Sequence, residues 1–273
     1  MAQQLLRIFD KQILIYSESS YLHSLVEKNY SAFAIQITDT SPCCLTYELK
    51  VNDSLSEFEI IRNDSISLKS QDVGMFVYQL EKDMTIELEK LCSSLFFMHG
   101  AALEKNGQVL VLTGRSGAGK STTTWGLLNS GFNYLSDELA PINLESMEVT
   151  PYPHAVCLKK HPPLYPLPEN TLKTKRTMHV PVESLPSFTC LESFPLTKIL
   201  IVEFSEQNME PGLTKLSQAE ACMHIYTNGL NQLAHDNDGL AAASKIAAHC
   251  ECCRLDAAQL DKTCEIIENL FQV

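Results

Sequence analysis

Two periods of apolar spacing run along this 273-residue chain, and the period decides which element each stretch is expected to form. Val109-Leu-Val-Leu112 is a short unbroken apolar run, the pattern of a buried parallel strand. Thr197 to Phe204 is a second such strand, and Phe132 to Ile142 a third, interrupted by polar residues near its middle. Leu95 to Leu103 reads as a strand that turns at Asn106-Gly107, a two-residue hairpin signal, straight into Val109. Upstream, Leu5 to Tyr16 alternates as a half-buried strand does. Further short strands are expected at 34–37, 44–51, 58–61 and 66–68, divided by turns at 39–42, 52–53 and 63–64. Helical spacing governs Leu80 to Cys92, with charges on the opposite face. Ser19-Ser20 opens a short helix toward Val26, and Ser217 with Glu220 forms a capping-box signature ahead of Ala221 to Tyr226. Asn237 to His249 is alanine-rich and helical. His249 to Asp256 reads as a short strand with small apolar residues, and Asp256 to Phe271 as a final helix with Leu260, Cys264, Ile267 and Leu270 on one side. The pattern is that of an α/β protein, with a small α+β region over 1–90 and a nucleotide-binding domain over 91–273.

The candidate chemistry sits where the Val109 strand ends. Gly114-Arg115-Ser116-Gly117-Ala118-Gly119-Lys120-Ser121-Thr122 carries the Gly-x-x-x-x-Gly-Lys-Ser spacing of a Walker A loop, between a strand and a segment that reads as a helix closed by Gly131. Glycines let the backbone turn sharply and approach a polyphosphate. Successive N–H groups at a helix start form an anion-binding concavity. Lys120 is expected on the β- and γ-phosphates of ATP, and the Ser121 hydroxyl on Mg²⁺. Downstream, Asp137 and Glu138 follow a short apolar run, as a Walker B metal ligand does. On a strand, adjacent side chains point to opposite faces, so the two acids are expected to do different work: one holding the metal, the other acting as base. His99 lies at the start of the nucleotide domain. Arg115 is a lower-ranked helper within the loop.

Charge and cysteine content narrow the rest. The net charge of −12 argues against a general nucleic-acid or anionic-membrane partner. No apolar run approaches a membrane span, and the first residues lack the apolar core of an export signal, which makes a cytoplasmic location the expectation. Ten cysteines at irregular spacing read as buried reduced thiols rather than a disulfide framework. The single C-x-x-C at Cys250 to Cys253 lacks the second pair that structural zinc requires. Within this acidic chain, His154 to Val180 is a basic island: Lys159, Lys160, Lys173, Lys175 and Arg176 against Glu169. These cations either meet ATP phosphates or an acidic substrate, or form a solvated loop. Lys159, which follows Ala155-Val-Cys-Leu158, is the strongest single candidate for the phosphates. Taken singly, His154, His161, His179 and His224 read as surface or core histidines.

His99-Gly, then the Walker A loop, then Ser136-Asp137-Glu138, in this order and spacing, resembles the catalytic domain of HPr kinase/phosphorylase. The pattern is more similar still to the HPr-kinase-related proteins of peptide-modification pathways, such as lasso-peptide serine kinases. His99 stands 21 residues before Lys120 and the acids 17 and 18 after it, which is far more selective than the loop alone. The resemblance covers about residues 90–160 well. It implies a phosphoenolpyruvate-carboxykinase-like α/β core around a mixed sheet, with Mg²⁺ and ATP on the loop. It also implies phosphoryl transfer to a serine hydroxyl on a peptide or small protein. His99 and the acid pair would work at the acceptor and the metal. Family members often assemble as rings, so a homo-oligomer is an expectation. Glu138 replaces the family's usual second Asp, which leaves open which acid takes the acceptor proton. Two further departures, the absence of the long Gly-rich signature farther along and an N-terminal region shorter than the family's, favour a substrate other than HPr. Two other readings remain for the same residues: a small-molecule kinase on this core, and an ATP-binding or ATP-hydrolysing regulatory switch.

Overall fold

A computed structural model describes residues 1–36, 42–52, 54–205, 207 and 210–272; Ile37, the turn at 39–41 and Asp53 lie outside them. The stretch expected as one strand from Leu5 to Tyr16 is a hairpin of β1 (Ala2–Ile8) and β2 (Lys11–Ser17). Phe9 and Asp10 take positive φ at the turn, a tight reversal that the apolar alternation did not reveal. Helix α1 (Ser20–Tyr30) starts on Ser19, whose hydroxyl accepts from Leu22 N–H. Strands β3 (Ala34–Ile35), β4 (Leu45–Val51), β5 (Phe58–Arg62) and β6 (Ile66–Ser70) complete a six-stranded sheet in the order β3-β1-β2-β4-β5-β6. Helix α2 (Val73–Leu91) begins a full two turns earlier than its apolar stripe indicated, capped by Asp72 on Met75 N–H.

The second sheet is built on β7 (Leu95–Lys105) and β8 (Gln108–Thr113), joined at Asn106-Gly107 with both residues at positive φ, as a two-residue hairpin requires. After the loop at 114–119 comes α3 (Lys120–Asn129). The single strand expected over 132–142 is split. It forms β9 (Asn133–Ser136) and β10 (Leu139–Asn143), both paired with β7, with a bend at Asp137-Glu138 between them. Then come β11 (Glu148–Val149) and a separate three-stranded sheet of β12 (Val156–Leu158), β13 (Leu172–Lys173) and β14 (Met178–Val180), in the order β12-β14-β13. The remaining elements are β15 (Phe194–Phe204), β16 (Gly212–Lys215), α4 (Gln218–Thr227), α5 (Leu240–His249), β17 (Glu251–Ala257) and α6 (Leu260–Glu268). The strand read over His249 to Asp256 forms as β17, so Asp256 lies within a strand rather than opening the last helix. The capping box of Ser217 and Glu220 forms as read. The large sheet is mixed. Strand β8 runs parallel to β15 and antiparallel to β7, and β15 runs parallel to β17.

Alternation along β8 explains the layering. Val109 and Val111 enter one core with Met98, Ile225 and Ile246, under α4 and α5. Leu110 and Leu112 enter the other with Trp125, Leu127 and Cys264, under α3 and α6. Gly126 permits this second contact: a Cβ there would lie 2.6 Å from Cys264 Sγ. The N-terminal sheet with α1 and α2 holds a third core, which also takes in Phe97, Leu139 and Tyr152 of the second half.

A buried ion pair ties the two halves. Glu81 of α2 meets His154 Nε2 at 2.6 Å, with the His154 side chain 2% exposed and that of Glu81 18%. Burial alone would raise the carboxyl and lower the imidazole; their mutual attraction reverses both, holding Glu81 below its ordinary range and pushing His154 up to about 9. The pair is therefore charged and contributes fully between the unfolded pKa values of Glu and His, about 4.5 to 6.5, and fades as pH rises toward 9. Glu81→Gln should cost about 2–3 kcal/mol at pH 6, because it strands a buried imidazolium. In urea unfolding, the gap between this variant and the wild type should narrow above pH 9; an equal gap at both pH values would show that the pair is not charged.

Candidate active site

The loop at 114–119 leaves the end of β8 beside β15, at the edge where open α/β sheets place ligands. Two glycines there are required by φ, and one of them by space as well. Gly114 has φ of 139°, and a Cβ on it would sit 2.6 Å from Val202 O of β15; Gly119 has φ of 97° and starts α3. No side chain caps α3. Its first-turn N–H groups therefore keep the unpartnered donors from which helix starts bind anions. Lys120 is buried and folds back over the loop, its Nζ donating to Gly114 O at 2.8 Å and Arg115 O at 3.3 Å. Burial lowers its pKa, against the pull of Glu138 and Asp137. Arg115, Ser116 and Gly117 are exposed, and Ala118, Ser121 and Thr122 half-buried. Lys159, just past β12, reaches back to the loop and donates from Nζ to Ser116 Oγ at 2.8 Å.

The bend between β9 and β10 carries both acids, and both bear on Lys120 while differing in burial. Asp137 is 1% exposed, and its Oδ2 accepts the Cys157 N–H of β12 at 2.9 Å. Its Oδ1 is buried with no protein partner. Burial, then the neighbouring charge of Glu138, pushes Asp137 up to about 7, opposed by the Cys157 N–H, His154 and the Ser121 hydroxyl. Glu138 is less buried, its side chain 34% exposed, with Oε2 3.7 Å from His99 Nδ1. His99 is paired across the sheet with Leu139. Its ring Nδ1 also lies 3.2 Å from Glu138 O, its N–H donates to Asn228 O at 2.8 Å, and its carbonyl accepts the Thr113 hydroxyl at 2.8 Å. Burial lowers the His99 pKa, with Glu138 opposing and Lys120 reinforcing that shift, so the imidazole is neutral near pH 7.

The structure thus brings Lys120, Ser121, Asp137, Glu138, His99 and Lys159 to one edge of the large sheet. Glu81 was not singled out by its sequence, because it lies on the polar face of an amphipathic helix 73 residues from its partner. His154, read singly as a core or surface histidine, is a core residue whose charge also bears on Asp137. Cys252 and Cys253 are buried on β17. Among the described residues no group of three or more His, Cys, Asp or Glu side chains is placed to hold a metal. Magnesium in nucleotide sites takes only one or two carboxylates and fills its shell with phosphate oxygens and water. The unpartnered Oδ1 of Asp137 beside Ser121 fits that need, and the uncapped helix start fits a polyphosphate. No helix among the described residues is long and apolar enough to cross a membrane.

No family model matches the chain. Over 129 residues it is 32% identical to the HPr kinase/phosphorylase of Lactobacillus acidophilus (strain ATCC 700396 / NCK56 / N2 / NCFM), a match covering 46% of this chain and 39% of that relative. The chain therefore spans well under half the length of the curated relative it matches. The mixed α/β architecture is consistent with an α/β kinase fold, and the match supports a distant HPr-kinase-like relationship.

Proposed function

We infer that the protein is an ATP-dependent phosphotransferase that moves the γ-phosphoryl group to a serine hydroxyl on a peptide or small protein, in the manner of the HPr-kinase-related enzymes of peptide modification. The observation that carries this reading is the pairing of two unlike acids: a buried Asp137 beside Ser121 and a half-buried Glu138 beside His99. A nucleotide switch needs the first side of this arrangement but not the second.

In this reading the amides of Gly114 to Ser121, with Lys120 and Lys159, hold the nucleotide phosphates, and Ser121 and Asp137 hold Mg²⁺. When bound, the ion neutralises charge on the phosphoryl oxygens. Glu138, oriented by His99, accepts the proton of the incoming hydroxyl. The acceptor oxygen bonds to the γ-phosphorus as the bridging bond to the β-phosphate breaks, and ADP leaves with that electron pair. Such catalysis is mainly positioning and charge stabilisation, which is what a rigid loop and buried Lys120 supply. Keeping His99 neutral leaves it able to accept or relay a proton near pH 7.

With γ-labelled ATP and serine peptides, label should appear on serine. Lys120→Ala should reduce transfer by about 10²-fold or more, and His99→Ala by about tenfold or more. Transfer at the wild-type rate in Lys120→Ala would remove the phosphate site assigned here. Glu138→Gln should lose about 10²-fold in kcat while keeping metal-dependent nucleotide binding, whereas Asp137→Asn should lose that binding; the reverse result would exchange the two roles.

Asp137 also carries a stability prediction. A carboxyl whose folded pKa is about 7 destabilises the fold progressively as pH rises from its unfolded value near 4. Asparagine still accepts the Cys157 N–H and carries no charge. In thermal unfolding of the nucleotide-free protein at pH 8, Asp137→Asn should gain about 1 kcal/mol, or about 2–4 °C, with no gain near pH 4. A lower Tm at pH 8 would contradict the buried-charge account.

A further inference from the structure

The basic island of the sequence becomes a single strip in the fold. Strand β14 pairs antiparallel with both β12 and β13, Leu158 opposite Met178 and Lys173 opposite Met178. That register brings the residues after Leu158 and after Lys173 to the same end of the small sheet. Lys159 and Lys160 leave β12 there, and the turn from β13 to β14 presents Lys175 and Arg176 beside them. The turn is held by its own threonines: Thr174 Oγ1 accepts the N–H groups of Arg176 at 3.1 Å and Thr177 at 3.0 Å. It also packs on α2, where a Cβ on Gly74 would lie 3.0 Å from Thr174 Oγ1.

Lys159, Lys160, Lys173, Lys175 and Arg176 are all exposed. None takes part in an ion pair among the described residues. Asp72, the carboxylate capping α2 near the turn, is engaged by Met75 N–H, and Glu169 lies in the exposed segment before β13. Five cations on one ribbon, none in an ion pair among the described residues, stand out on a chain of net charge −12. The strip begins at the phosphate loop, through Lys159 on Ser116, and runs away from it. One triphosphate needs only the near end; the far end faces outward and is free to meet a second anionic group.

We propose that this strip docks an acidic segment of the phosphoryl acceptor: a peptide with Asp or Glu residues flanking the reacting serine, Lys173, Lys175 and Arg176 meeting those carboxylates. The proposal rests on the phosphotransferase reading for the word acceptor, but the docking itself needs no catalysis. Clustered like charge raises local ligand concentration and on-rate, and its effect weakens with salt.

The test uses the full chain and a fluorescent peptide in which glutamates flank an alanine in the serine position, followed by anisotropy without ATP. The wild type should bind it in preference to neutral or lysine-flanked versions, more weakly as salt rises. The triple variant Lys173→Glu, Lys175→Glu, Arg176→Glu should lose about tenfold or more, keep its Tm and its KM for ATP, and shift its preference to the lysine-flanked peptide. Equal binding by wild type and variant, or tighter binding of a single-stranded oligonucleotide of equal charge, would overturn the proposal. With serine restored, acidic peptides that bind but take no label would end the kinase reading and leave the docking intact. Equal kcat/KM for acidic and neutral peptides would do the opposite.

Discussion

Everything in this molecule follows from one strand that has no polar face. Val109, Leu110, Val111 and Leu112 are all fully buried, so β8 must have a layer of helices on each side and a hydrogen-bonded neighbour on each edge. That requirement puts it at the middle of the large sheet between β7 and β15. The chain emerging from its end has no side chain to spare for the core and must turn at once. Gly114 makes that turn against Val202 O, at a distance no Cβ tolerates. A tight glycine loop ahead of an uncapped helix is the result.

Around that loop the charges are placed in deliberate conflict. Asp137 and Glu138 are neighbours of like sign, and burial makes the first of them costly to ionise. Lys120 loses part of its affinity for the proton by the same burial. Each group relieves the other only in part, and one carboxylate oxygen is left with no partner. Strain of this kind persists when surrounding structure enforces it and a ligand relieves it. The enforcing contact is backbone: the Cys157 N–H fixes Asp137 Oδ2, and β12 is fixed in turn by its pairing with β14.

The N-terminal sheet bears on the site through the same segment. Glu81 of α2 holds His154, Asn29 O accepts the Ala155 N–H, and two residues later comes the N–H that holds Asp137. The first turn of α2 meanwhile packs on the turn that carries Lys175 and Arg176. One helix of the first ninety residues therefore braces both Asp137 and the turn at the far end of the basic strip.

The chain itself carried the elements whose signal is local. A four-residue apolar run, a glycine loop of defined spacing, an Asn-Gly reversal and a Ser-to-Glu cap each specify their backbone within a few residues; Lys120, Asp137 and Glu138 stood out by their motifs, and His99 by the family resemblance. Some boundaries misread: Phe9-Asp10 carries no Gly, Pro or Asn-Gly signal for its tight reversal, and the last helix starts four residues later than its expected start at Asp256. Packing decided what depends on partners far apart in the chain. Which acid faces inward was settled by the bend at Asp137-Glu138. The partner of His154 lies 73 residues away on α2. The convergence of Lys159 with Lys175 comes from strand register. Neither charge pairing nor register leaves a trace in composition, because each is a property of distance, and only the folded chain sets distances.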